Sequence, residues 1–251
     1  MEISVADEQP ISVVPILPDN QNAGVTGYFN LLVNSGDKQT IYMQITNNKK
    51  ENIVIALAPA NAYTRPTGGI FYSEEIDSPE TIIVGGVLIS EIGPASEDIE
   101  VETEKDEAKF KVITKNVFAA AIQLDFPEQA TPVFSFGNAG FNPVGPNVFI
   151  AMRNDAPMIQ REVFGEYQVT DKDGQEVFSG LFEPISMAPK TQMNFPMHWD
   201  SSVLEPGEYT LSIAANVVGE EIVAVERFNI DKTTVETYAE RTNQPKIRWL
   251  L

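Results

Sequence analysis

Ser186 to Leu211 reads S-M-A-P-K-T-Q-M-N-F-P-M-H-W-D-S-S-V-L-E-P-G-E-Y-T-L, and the fold class is written in it. Met187-Ala188-Pro189-Lys190 is a proline-containing turn. Met193, Phe195 and Met197 then alternate with polar or small residues, the period-two pattern of a strand with one buried face. Pro196 interrupts that run, and a residue without an N–H belongs at a sheet edge or bulge. Glu205-Pro206-Gly207-Glu208 is a second turn, beyond which Tyr209, Leu211 and Ile213 alternate with Thr210, Ser212 and Ala214. Strand, Pro-Gly turn, strand is the signature of the late strands of an antiparallel β-sandwich.

The pattern extends on both sides. Downstream, Ile222 to Ile230 reads as a last strand, and Asp231 to Arg248 as a polar tail. Upstream, Phe164–Val169 and Val177–Phe182 flank Asp171-Lys172-Asp173-Gly174, where Asp-Gly marks a hairpin. Val148, Ile150 and Met152 form another strand, and Val133, Phe134 and Phe136 open this second half. Phe126 to Pro132 is short, proline-flanked and reads as the boundary between two domains. In the first half Pro15 and Pro18 make Ile11–Leu17 an edge strand. Strands follow at Tyr28–Leu31, at Ile41, Met43 and Ile45, and at Ile53, Ile55 and Leu57, with the polar loop Asp19–Gly24 and two Asn-rich turns between them. From Ala58 to Pro79 the composition is that of a loop. Thr81–Ser90 is an apolar run suited to a buried strand, with Gly85-Gly86 predicting a bulge or a close backbone approach. Glu91–Lys111 reads as an acidic hairpin, and Lys115–Ala121 allows a turn or two of helix. The expectation is an all-β chain of two tandem immunoglobulin-like antiparallel β-sandwich domains, 1–130 and 131–232, with a polar tail at 233–251.

Charge excludes several roles. The chain carries 36 acidic and 17 basic side chains, a formal net charge of −19. Nucleic acid is not a partner for such a surface, because phosphates demand a basic face, and an anionic membrane surface repels it. There is no cysteine, which removes disulfides, thiolate metal sites and cysteine nucleophiles together. The N-terminal ten residues lack the basic start and apolar run of a signal peptide. Lys246-Ile247-Arg248-Trp249-Leu250-Leu251 is an abrupt apolar end, so we expect a fragment of a longer protein that had a signal peptide before residue 1 and a membrane anchor after residue 251.

The residues point away from catalysis. The sole histidine, His198, sits just past a strand, and no G-x-S-x-G elbow presents a serine to it. Zinc wants several His or Cys ligands. Glu91, Asp98, Glu100, Glu102, Glu104, Asp106 and Glu107 cluster in the acidic hairpin, whereas a catalytic acid needs burial to raise its pKa. Asp19-Asn20-Gln21-Asn22 and Asp171-Lys172-Asp173-Gly174 lack the ligand series of a calcium loop and read as turns. No catalytic residue, metal site or cofactor is expected. Aromatic and amide residues carry the more useful signal: Asn20, Gln21, Asn22, Tyr28, Asn61, Tyr63, Arg65 and Tyr72 lie in or beside loops of the first half. Flat rings and planar amides are what a glycan's sugar faces, hydroxyls and N-acetyl groups engage.

With these motifs in hand, the chain resembles the WxL-interacting proteins of Gram-positive bacteria. The likeness rests on I-S-V-V-P-I-L-P-D-N-Q (Ile11–Gln21), G-Y-F-N-L (Gly27–Leu31), Thr46-Asn47, Asn61-Ala62 and G-G-V-L-I-S (Gly85–Ser90). In the second half it rests on Phe134–Gly137, Arg153-Asn154, M-A-P from Met187, N-F-P from Asn194 and P-G-E-Y-T-L from Pro206. The family carries a further strand pair between Tyr72 and Ile82, where this chain has only Ser73–Thr81. The resemblance implies a non-enzymatic, membrane-anchored adhesion protein of the bacterial cell surface. Its first domain would bind peptidoglycan, and its second a host extracellular protein or a WxL-domain surface protein. If the first domain binds glycan, the ligand-binding candidates by residue chemistry are Asn20, Gln21, Tyr28, Tyr63 and Arg65, with aromatics stacking, amides hydrogen-bonding and Arg65 suited to a stem-peptide carboxylate. A structural spacer that pairs with a Trp-x-Leu protein through strand edges, without binding glycan, is the alternative.

Overall fold

The computed structural model describes residues 9–74, 84–92, 99–100, 111–112, 116–127, 130–199 and 205–242. The fold is all-β, built mainly of antiparallel sheets with one short helix among the described residues. Two compact units emerge: Met1–Ala62 with Tyr72–Gln129, and Tyr63–Phe71 with Ala130–Leu251.

In the first unit, β1 (Ile11–Ile16) and β3 (Tyr42–Asn47) form a two-stranded antiparallel ribbon. Ile11 is buried on one of its faces, while Val14, Ile16 and Tyr42 stand exposed on the other, as period-two alternation requires. A five-stranded sheet runs in the order β2 (Phe29–Leu32), β9 (Val117–Asp125), β6 (Val84–Ile92), β4 (Val54–Thr64), β5 (Ile70–Ser73). Its β2–β9 pair is parallel, a departure from the purely antiparallel expectation. β7 (Ile99–Glu100) and β8 (Lys111–Val112) pair antiparallel within the acidic stretch.

Three local expectations change here. Lys115–Ala121 allowed a helix, yet Val117 onward is strand β9. Its alanines pair residue by residue with β6, from Ser90↔Val117 to Val84↔Gln123, so sheet context overrides the helical preference of an Ala run. The loop expected from Ala58 is strand as far as Thr64, because Ala60, Ala62 and Thr64 bury one face of it. Gly85-Gly86 makes no bulge, since the β4–β6 register is continuous from Val54↔Ile92 to Asn61↔Gly85. The pair marks a close approach instead: a Cβ on Gly86 would lie 2.9 Å from the Ala120 carbonyl oxygen and 3.2 Å from the Tyr72 ring.

The second unit is a sandwich. One sheet has the order β10 (Phe134–Asn142), β11 (Asn147–Asn154), β14 (Thr191–His198). The other has the order β13 (Glu176–Met187), β12 (Gln160–Asp171), β15 (Gly207–Val217), β16 (Glu220–Ile230). β14 and β15, neighbours in sequence, therefore belong to opposite sheets. Val148, Ile150 and Met152 from the first sheet meet Val169, Leu211 and Ile213 from the second in one buried cluster. Burying each such side chain is worth about 1.5–3 kcal/mol. Trp199 lies edge-on to Phe141, Phe178 and Tyr209, with ring centroids 5.4–5.5 Å apart. The Tyr209 hydroxyl donates to the Glu205 carbonyl at 2.8 Å and so pins the turn that enters β15. Pro196 lies on an edge strand opposite Phe149, where its missing N–H costs no ladder bond.

Much of the stretch read as a polar tail is folded. α1 (Lys232–Thr242) starts at Asp231, whose Oδ1 accepts the Thr234 N–H at 2.7 Å as an N-cap. Val235 and Tyr238, one turn apart on one face, are buried in the sandwich core. The acidic residues Asp98, Glu102, Glu104, Asp106 and Glu107, the Glu75–Thr81 part of the shortened segment, and the apolar end at Trp249 lie outside the described residues.

Candidate functional site

The loop from Asp19 to Tyr28 is held by its own amides. Asn20 Nδ2 donates to the Leu32 carbonyl and to Gln39 Oε1, both at 2.9 Å, and Gln39 Nε2 returns a bond to Asn20 Oδ1 at 2.8 Å. Gln21 Nε2 donates to the carbonyls of Val25 (2.9 Å) and Tyr28 (3.0 Å), while its Oε1 accepts the Asn30 N–H at 3.1 Å. These side chains do for an irregular loop what a ladder does for a sheet: they satisfy backbone groups that no strand partner reaches. The amide donors of both side chains thus have partners within the first unit.

Beneath them lies a polar cluster that sequence reasoning missed. Asn22 Nδ2 donates to Asn30 Oδ1 (2.8 Å) and to Asp125 Oδ2 (2.7 Å), and Gln123 Nε2 donates to Asp125 Oδ1 at 2.8 Å. Asp125 thus ties the loop to the end of β9 through Oδ2, while Oδ1 is held by Gln123 of the same strand. Only the parallel β2–β9 register, Asn30↔Gln123 and Leu32↔Asp125, brings these residues together, and a parallel pairing leaves no local mark in sequence. Tyr28 is half-buried. The Tyr72 phenol is pushed up mainly by burial, with Tyr28 nearby adding to the shift.

Tyr63 and Arg65 group with the second unit, and Asn20, Gln21 and Tyr28 with the first. The Arg65 guanidinium carbon sits 3.7 Å from the centre of the Phe71 ring, a cation–π contact. Arg65 Nε reaches the Tyr63 hydroxyl at 3.4 Å. Between these residues the chain turns through Gly68 and Gly69, both at positive φ. The Gly69 N–H donates to the Ser186 carbonyl at 2.9 Å, and a Cβ on Gly68 would lie 2.6 Å from the Ile185 Cβ. Only glycine admits that backbone against β13.

The single histidine and the described carboxylates around the β12–β13 turn are placed as follows. His198 is exposed at the end of β14, opposite Asn147. Asp171 Oδ1 accepts the N–H groups of Asp173 and Gln175 at 2.9 and 2.8 Å, which is turn chemistry. Glu176 is held below the usual carboxylate range by hydrogen bonds from Gln168 and Ser179. That direction is opposite to the one a general acid needs.

Two family models match. Residues 11–130 match the WxL Interacting Protein, peptidoglycan binding domain, and residues 107–240 match the WxL Interacting Protein, host binding domain. The matched domains are binding domains, and all-β sandwich architecture suits that class. The chain belongs to the WxL Interacting Protein family. The two matches overlap over 107–130, where β9 lies in the first unit, and the second reaches into α1. No curated relative matches the chain.

Proposed function

We propose that this is a non-enzymatic binding protein of the bacterial cell surface, whose first domain (1–130) holds peptidoglycan and whose second (131–232, with α1) holds a protein. The observation that carries the reading is the pair of family matches, one peptidoglycan-binding and one host-binding, in that order along the chain. The partner of the second domain is a host extracellular protein or a WxL-domain surface protein. The net charge of −19 favours a neutral or basic ligand over a polyanion. An immunoglobulin-like description of the second domain has support in its seven strands, split three and four, and in the Tyr209 hydroxyl bond at the corner before β15.

Asn20, Gln21, Tyr28, Tyr63 and Arg65 all lie within residues 11–130, the peptidoglycan-binding match, and remain the ligand-binding candidates of that domain. The intact chain is the form to test, because residues 63–71 complete the second unit. It should co-sediment with purified sacculi and be retained on immobilised extracellular-matrix protein. Failure to pellet with sacculi would turn the reading towards an assembly spacer that pairs through strand edges.

A further inference from the structure

The β1–β3 ribbon carries an uncharged surface on this acidic molecule. Neither strand holds an Asp, Glu, Lys or Arg, in a chain whose net charge is −19. The register sets Ser12 opposite Thr46, Val14 opposite Gln44 and Ile16 opposite Tyr42. These six alternate with the buried-side residues and so share one face. Tyr42 is 64% exposed, Val14 56% and Ile16 54%. The far end of the ribbon is clamped from Asn48, whose N–H donates to the Pro10 carbonyl and whose Nδ2 donates to the Gln9 carbonyl, each at 3.0 Å.

The loop amides contrast with this face. Asn20 and Gln21 spend their donors on their own loop. On the ribbon the Tyr42 ring, the Gln44 amide and the Thr46 hydroxyl stand in a row along one strand. Side chains two residues apart on a strand are separated by roughly 7 Å, so the three span about 14 Å. An exposed ring with an amide and a hydroxyl in line, beside aliphatic side chains and without charge, offers an apolar surface for a sugar face and hydrogen bonds for hydroxyl and N-acetyl groups.

We propose that this face, centred on Tyr42, Gln44 and Thr46, binds the glycan strand of peptidoglycan rather than its stem peptides. The proposal rests on the peptidoglycan reading of the first unit and gives that reading its contact residues. The absence of ionic side chains selects the neutral sugar backbone: stem peptides present carboxylates and amines, for which this face has no partner. A flat ribbon face open along its length also suits a long polymer, which has no end to insert into a pocket.

The test uses the full chain and two probes: intact sacculi, and glycan strands stripped of stem peptides by an amidase, with the freed lactyl carboxylates capped as amides so that the strand is neutral. Wild type should bind both. Tyr42→Ala should bind each about tenfold more weakly, the scale of one lost aromatic contact. Tyr42→Phe should stay near wild type, and Gln44→Ala with Thr46→Ala should add to the loss. Thermal melts of the variants should match wild type, since the substituted side chains are exposed. Undiminished sacculus binding by Tyr42→Ala overturns the proposal and leaves the peptidoglycan reading standing. Binding of intact sacculi but not of stripped strands also overturns it, in favour of stem-peptide recognition. A wild-type chain that binds neither probe overturns both.

Discussion

Thr64 and Thr191, 127 positions apart in the chain, share a 2.7 Å hydrogen bond between their hydroxyls. Thr191 donates its proton to the Ala188 carbonyl at 2.8 Å, and Thr64 Oγ1 accepts the buried Ala188 N–H at 2.8 Å. A hydroxyl has one proton, so Thr64 is the donor to Thr191 and the three groups close a ring. Thr64→Val keeps the shape and strands the Ala188 N–H, at a cost of about 1–3 kcal/mol. The urea midpoint should fall for Thr64→Val and be largely kept by Thr64→Ser. Equal midpoints for all three proteins would mean that the ring contributes nothing.

Tyr209 gives a prediction with a pH signature. Its phenol is raised above the ordinary 10.0 chiefly by burial, with the Glu205 carboxylate adding to the shift. A raised acid favours the protonated folded form. That stabilisation is complete below the unfolded value of 10.0 and is lost as pH climbs through the higher folded value. Tyr209→Phe removes the bond to the Glu205 carbonyl and should cost about 1 kcal/mol at neutral pH. Above pH 10 the gap between the two proteins should narrow. Denaturation midpoints at neutral and alkaline pH check the sign.

Gly165 lies in the middle of β12, between Ala215 of β15 and Phe182 of β13. A methyl group there would meet the Ala214 backbone, with that carbonyl carbon and the Ala215 Cα each 2.9 Å away. Backbone cannot step aside as a side chain can. Gly165→Ala should cost at least about 1–3 kcal/mol and lower both soluble yield and melting temperature. Gly207→Ala, where a Cβ meets nothing within 4 Å at an ordinary φ, should be neutral or slightly stabilising.

Asp125→Ala should act on the first unit alone. It removes the acceptor of both Asn22 and Gln123, hydrogen bonds to a charged group worth roughly 1.5–3 kcal/mol each. Hydrogen exchange should quicken at Asn22 and Leu32, whose amides bond the carbonyls of Asn30 and Asn20. Exchange in the second unit should be unchanged. Unaltered protection at those two amides would mean that Asp125 does not hold the loop.

What the sequence made legible was whatever its local period encodes. Met193, Phe195 and Met197 announced β14, and Tyr209, Leu211 and Ile213 announced β15, because alternation is set by the pleat itself. The Asp171–Gly174 hairpin was equally plain, since its carboxylate makes the turn. Long-range pairing was not legible. Nothing near Asn22 points to Asp125, and nothing near Thr64 points to Thr191. The helix at Lys232–Thr242 escaped because only Val235 and Tyr238 mark its buried face. The grouping of Tyr63 and Arg65 with the second unit was equally illegible, since sequence order places them in the first half.

The short segment Tyr63–Phe71 also bears on how such proteins evolve. It lies within the first half of this chain but groups with the second unit. A genetic crossover near residue 130 would give each daughter a second unit whose Ser186 and Ala188 meet a foreign Gly69 and Thr64. Such a crossover should therefore weaken the second unit unless both sides of that contact match.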